Sequence, residues 1–392
     1  MSRRPRLRSG GFSLVEMTMS LALGVMVVGA GVGLYSRGVN ATWIVTQKAE
    51  MQQDFRAAAN MMTRDISLAG ASMGNNVQIA LPSGNGAKVP IYGCDQTPKC
   101  YINGAAVAYP TQLFNGVKVP YLYGLVPGWR FGPIVNAGAG QSDVITVVNA
   151  DTTFLLNCYN VTVTTSTLVT FGLNPNPAQR PGNCVVPPPL LNPQDITDAV
   201  VGLTPGDLIQ FNVSNPGAGA NAPTSNVIGE VTKVQDTGTD AKGNHTYAVS
   251  FAANDPLLMN QPTAAAGSLG NVVGSTGTGN RINVVTYYID NSLTPPRLMR
   301  QNSGHTPIPV AENISFLQFT YDLYNFDTGA ILTRQADGGA SQGMTPNQIT
   351  KINIEHMSMA STMYGTRGYQ GLDLQTSVSA RDLTFKNDYP LQ

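Results

Sequence analysis

Charge is scarce in this chain. Asp, Glu, Lys and Arg make up 12% of its 392 residues, and their signs cancel to a formal net charge of zero. A polyanion held by bulk electrostatics needs clustered lysine and arginine, so nucleic acid is not expected as a partner. Histidine is rarer still. His245, His305 and His356 stand far apart, with no H-E-x-x-H and no close ligand spacing, so no metal or other cofactor is expected. Cysteine is limited to Cys94, Cys100, Cys158 and Cys184. None forms a C-x-x-C pair, which sets aside the zinc and redox motifs. Long apolar runs are absent as well, with one exception near the N-terminus.

Glycine and proline are abundant, at 41 and 26 residues. With frequent Thr, Asn and Ser, they suit turns and strands rather than a helical bundle. Neighbour pairing of the cysteines, Cys94 with Cys100 and Cys158 with Cys184, would close two local loops. Two other connectivities stay open. Disulfides imply an oxidising compartment.

The apolar exception organises the rest. Arg3, Arg4, Arg6 and Arg8 precede Ser9-Gly10-Gly11-Phe12-Ser13-Leu14-Val15-Glu16, and from Phe12 to Leu34 the one formal charge is Glu16. As a helix at ~1.5 Å per residue, this run reaches roughly 35 Å, enough to span a bilayer. The arginines should stay cytoplasmic and send the remainder across. A secretory signal peptide carries its small-residue cleavage site after the apolar run. Here Gly10-Gly11 stands before it, so the run is expected to be kept. A carboxylate in hydrocarbon is a functional suspect. A cut between Gly11 and Phe12 would place a new α-amine four residues before Glu16, and that amine and the helix N-terminus both favour a negative charge. The pairing could equally form between neighbouring subunits.

Beyond Leu34 the periodicity changes. Ile44, Met51, Phe55, Ala58, Met62, Ile66 and Ala69 recur at helical spacing, which predicts a helix from Phe12 to Leu68 stopped near Gly70. Gly24, Gly29, Gly31, Gly33 and Gly38 weaken it. They mark either a locally melting section or a face for close helix packing. Strand signals follow at Asp143–Val148, Val161–Phe171, Leu208–Val213, Val227–Val234 and Thr246–Phe251, the last two as a hairpin. Ala264–Gly279 reads as loop. Ile282–Ile289, Arg297–Arg300, Ile314–Tyr321, Lys351–Met359 and Leu372–Leu383 form an antiparallel sheet pattern with one packed face. In it, Ile352, Ile354 and His356 are expected on one face. The expected fold class is α+β, with the stripe of Trp43–Leu68 covering this sheet.

Other motifs are weak. Gly339-Ala340-Ser341-Gln342-Gly343 fits G-x-S-x-G but lacks the flanking strand and helix of a nucleophile elbow. Asp236 and Asp240 fall in a turn without the full oxygen-ligand loop of a calcium site. No catalytic residue is assigned, and no enzyme activity is expected.

The string Gly10-Gly11-Phe12-Ser13-Leu14-Val15-Glu16 resembles the class III signal of type IV pilins and of type II secretion pseudopilins. The resemblance implies cleavage by a prepilin peptidase after Gly11, N-methylation of Phe12, and a role for Glu16 in docking one subunit on the next. Asp65-Ile66-Ser67-Leu68-Ala69-Gly70, Val285-Thr286-Tyr287-Tyr288-Ile289, Arg297-Leu298-Met299-Arg300 and Ala311 to Phe319 are similar to PilW-type minor pilins. They also resemble J-type minor pseudopilins. The implied organisation is a leader at 1–11, a transmembrane and assembly helix at 12–35, and an amphipathic helix at 36–70. A strand- and loop-rich insertion at 71–280 and a pilin β-sheet region at 281–392 complete it. The implied partners are other minor pilins, the major pilin, prepilin peptidase and the inner membrane. The implied location is the inner membrane with a periplasmic domain, then the pilus. A type II secretion pseudopilin, or an adhesin acting through 75–280, are the alternative functions.

Overall fold

The structure is a computed structural model that describes residues 11, 13–73, 78–82, 99–102, 105–108, 121–135, 140–181, 184, 195–214, 224–253, 255, 257–261, 266–292, 294–302, 305–326, 328–365, 368–380 and 383. It is α+β: one long N-terminal helix and a large body of antiparallel strands.

Helix α1 runs without a break over Leu14–Ser67. It stops where Gly70 turns to φ 76°, a conformation that favours glycine. The Gly70 N–H then donates to the Val148 carbonyl at 2.8 Å, tying the helix end to the strands. The glycine-rich section is helical throughout, and a Cβ at Gly24, Gly29, Gly31, Gly33 or Gly38 would meet nothing within 4 Å. The second half behaves as its stripe demands. Met51, Phe55, Ala58, Met62, Ile66 and Ala69 are all buried, and Ile44 is half-buried.

Five short strands follow the helix: β1 (Gln78–Ala80), β2 (Lys99–Ile102), β3 (Ala105–Ala108), β4 (Tyr121–Tyr123) and β5 (Leu125–Gly128). Then come β6 (Val144–Ala150), β7 (Asn160–Thr165), β8 (Leu168–Leu173), β9 (Leu208–Ser214), β10 (Ser225–Glu230), β11 (Lys233–Thr239) and β12 (His245–Ser250). The run Val161–Phe171, read as one strand, is the hairpin β7–β8, turning at Ser166-Thr167. The turn was hidden because neither residue is a glycine, asparagine or aspartate. The run Val227–Val234 is likewise two strands, β10 and β11, bent at Val231-Thr232.

That bend closes a barrel. The hydrogen-bonded order is β10-β9-β13-β7-β8-β12-β11, where β13 spans Thr276–Asp290. The two ends of this order are joined by two residues of chain. Val231 N–H donates to Asp207 O beside β9, and Thr232 N–H donates to Ser250 O on β12. Phe171, Phe211, Phe251, Val161, Val169 and Val249 fill the interior, so the barrel is packed rather than open. The expected loop Ala264–Gly279 overlaps the start of β13. Gly277 pairs with both Val161 and Val213, and a Cβ there would lie 2.1 Å from the Asn212 carbonyl oxygen. Glycine here permits close approach of three backbones rather than a turn.

Strand β13 is 15 residues long, runs through position 280 and serves two structures. Its first half belongs to the barrel. Its second half pairs with β6 and with β14 (Arg297–Asn302), in the order β5-β6-β13-β14-β15, where β15 is Ile308–Glu312. A separate sheet has the order β17-β16-β18-β19, from Ile331–Gln335, Ile314–Tyr324, Ile349–Gly365 and Gly368–Ser379. The buried face of α1, the second half of β13 and the inner faces of β16 and β18 share one core. Asp143 stitches the layers. Its carboxylate accepts from Arg130 N–H at 2.7 Å and Phe319 N–H at 2.8 Å, and its own N–H donates to Leu317 O. Burial pushes the Asp143 carboxyl up to about 6 against those two hydrogen bonds.

One expected face is corrected. Ile352 and Ile354 are buried, but the register shifts between Ile354 and Met357. Beyond this bulge Met357 and Met359 point inward, and His356 turns out to bond Asp373 at 2.9 Å.

Cys158 and Cys184 form a disulfide, closing a loop of sequence separation 26. Cys100 lies in β2, and Cys94 falls outside the described residues. Replacing both Cys158 and Cys184 by alanine should cost about 3 kcal/mol through the freed unfolded chain. Urea unfolding of the full chain in detergent micelles, followed by tyrosine fluorescence, measures it.

Candidate assembly segment and helix–sheet junction

The head of α1 is built by two side chains. Ser13 is the N-cap, and its Oγ accepts from Val15 N–H at 3.2 Å. Glu16 reaches back so that its Oε2 accepts from Ser13 N–H at 3.0 Å. This is a capping box, which satisfies N–H groups that have no partner inside the helix. It holds the carboxylate at the positive end of the helix dipole. Its sequence signal is Ser13-x-x-Glu16. Gly11 is exposed, and Phe12 falls outside the described residues.

Beyond the cap, α1 exposes an apolar surface that the body of the protein does not cover. Leu14 is 81% exposed, Val27 71% and Tyr35 75%. By length and composition this is one helix able to cross a membrane. An apolar surface of this extent calls for lipid or other helices around it.

The other end of the rod is fixed by the strings singled out in the sequence. Asp65 Oδ2 accepts from Tyr287 Oη–H at 2.6 Å and from Arg300 Nε–H at 2.7 Å. One residue comes from the helix-end string, one from β13 and one from β14. Burial and the neighbouring Asp65 carboxylate push the Tyr287 hydroxyl well above its usual range. The Asp65 carboxylate, working against burial, raises Arg300 further. The guanidinium–carboxylate pair clamps the helix to the sheet.

The weaker motifs have structural surroundings. Ser341 lies in a short 3₁₀ turn between β17 and β18, where the Asp337 carboxylate accepts from the Gly339 and Ser341 N–H groups. Asp240 accepts from Lys242 and Asn244 N–H and shapes the β11–β12 turn, while the Asp236 carboxylate accepts from Gly238 N–H. Among the described residues no group of three or more His, Cys, Asp or Glu is placed to hold a metal. His305 bonds Asp207 at 3.0 Å, a contact not foreseen from sequence.

Fold and site together define a β-rich body carrying an N-terminal apolar helix with a capped, acidic head. Comparison of the chain with protein-family models, with curated proteins and with solved structures gave no match.

Proposed function

We propose that this protein is a minor pilin of a type IV pilus with no catalytic role. The reading is that prepilin peptidase cuts between Gly11 and Phe12 and that Phe12 becomes N-methylated. The helix then holds the protein in the inner membrane, with the strands in the periplasm. From there it joins other minor pilins and the major pilin, priming assembly and sitting toward the tip. The observation that carries this reading is the Ser13–Glu16 cap. It places a single carboxylate at the head of a continuous helix whose first half is apolar and uncovered. A mature amine at Phe12, on the same subunit or the next, would meet that carboxylate.

Two variants of Glu16 separate the charge from the cap. Glu16→Gln keeps a hydrogen-bond acceptor at the capping position and removes the charge. Glu16→Ala removes both. Both variants are expected to insert into the membrane and to be lost from sheared pili by immunoblot. Normal incorporation of Glu16→Ala would count against the proposal, and normal incorporation of Glu16→Gln would reduce Glu16 to a cap.

A further inference from the structure

We infer that a cleft beside Arg300 is a binding site for a neutral saccharide. The inference does not rest on the pilin reading. The cleft has a volume of about 390 Å3 and lies between the turn before β9 and the strands β13 and β14. That is within the ~300–1,000 Å3 usual for small-molecule sites.

The charges in it are already matched. Arg281 donates through Nε and Nη2 to Asp151, and through Nη1 to the carbonyls of Val201 and Gly202. Asp207 accepts from Thr204 N–H and faces His305 Nε2 and, at 3.8 Å, Arg281. Arg300 faces Asp65. The charged and titratable groups around the cleft are therefore two arginines, one histidine and three carboxylates, each with a partner of the other kind. Both arginines already face carboxylates, so neither is left free to recruit an anion.

Hydrogen-bonding capacity is left over. Arg300 has five N–H donors: its Nε goes to Asp65 and its guanidinium also meets the Tyr287 hydroxyl, which leaves spare donors. Asn302 lines the cleft, and its Oδ1 is buried with no hydrogen-bond partner among the described residues. A buried acceptor left so is destabilising, and a ligand donor would satisfy it. The exposed Thr306 adds a hydroxyl. At the edge, Val200 is 91% and Ile308 51% exposed, although both are apolar. The requirement is for a small, uncharged ligand that both donates and accepts and has one C–H face. A sugar ring meets it, because each hydroxyl donates and accepts and its C–H face can cover Val200 and Ile308.

The test is saturation-transfer NMR on the full chain in lauryldimethylamine oxide micelles, which contain no sugar. The probes are galactose, glucose, mannose and N-acetylglucosamine, with glucuronate and inorganic phosphate as anionic controls. Thr306→Trp fills the cleft from an exposed position and leaves the Asp65–Arg300 clamp alone. The expected result is transfer to at least one neutral sugar, lost in Thr306→Trp and weakened in Asn302→Ala. Transfer to the anions alone, to no probe, or equally in wild type and Thr306→Trp would overturn the assignment.

Discussion

Replacing Asp65 by alanine is expected to cost about 3 kcal/mol of stability, because it leaves a partly buried guanidinium without its carboxylate. Arg300 and Tyr287 both direct donors at Asp65 Oδ2, and the Asp65 and Arg300 side chains are 14% and 23% exposed. The loss should register in urea unfolding of the full chain in micelles. Asp65→Asn keeps one acceptor and should cost less. Adding Arg300→Met to Asp65→Ala should recover part of the loss, since the stranded charge goes with it. If the double variant is as unstable as the two single losses added together, the two side chains do not act as a pair.

Glu230→Gln is expected to stabilise the protein at neutral and alkaline pH. Glu230 is 2% and Asp255 3% exposed, and their carboxyl groups are close enough to interact. Asp255 is the better placed to stay ionised, because its oxygens accept from Met259 N–H at 2.7 Å and Asn260 N–H at 2.9 Å. Burial first, then the charge of Asp255, pushes Glu230 up to about 9. The folded chain therefore keeps a proton that the unfolded chain gives up near ~4.3. Stability from that proton is complete below the unfolded value. It falls as pH rises, levelling only above the folded value, with a slope of about 1.4 kcal/mol per pH unit between them. Glutamine donates to Asp255 without titrating. The variant should match wild type near pH ~4 and exceed it increasingly up to pH ~8 in urea titrations. Parallel pH profiles for the two proteins would mean that Glu230 is ionised in the fold.

The helix was legible because its signal is local. Met51, Phe55, Ala58, Met62 and Ile66 repeat every three, four or seven residues, and all of them are buried. Strands announced by β-branched runs, such as β6, β9 and β16, were legible for the same reason. The rest depends on what a strand meets. The bend at Val231-Thr232 exists because β10 pairs with β9 while β11 pairs with β12, and nothing within 227–234 states this. Gly277 looked like a loop glycine because the backbone it approaches lies 65 residues earlier, at Asn212. His356 changed face through a bulge, which shifts the period by one without changing composition. The strings around Asp65, Tyr287 and Arg300 were each visible. Their meeting was not, because Asp65 is separated from its two partners by 222 and 235 residues. Glu230 and Asp255 gave no signal, since an acid reads as surface until its burial is known.

The central claim concerns the first residues of the mature chain, and intact-protein mass spectrometry with N-terminal peptide sequencing addresses it directly. The account predicts a protein lacking 1–11 that begins with N-methylated Phe12 and retains the apolar half of α1. A chain that still carries Met1–Gly11, or one cut after Tyr35 with the apolar segment removed, would contradict it.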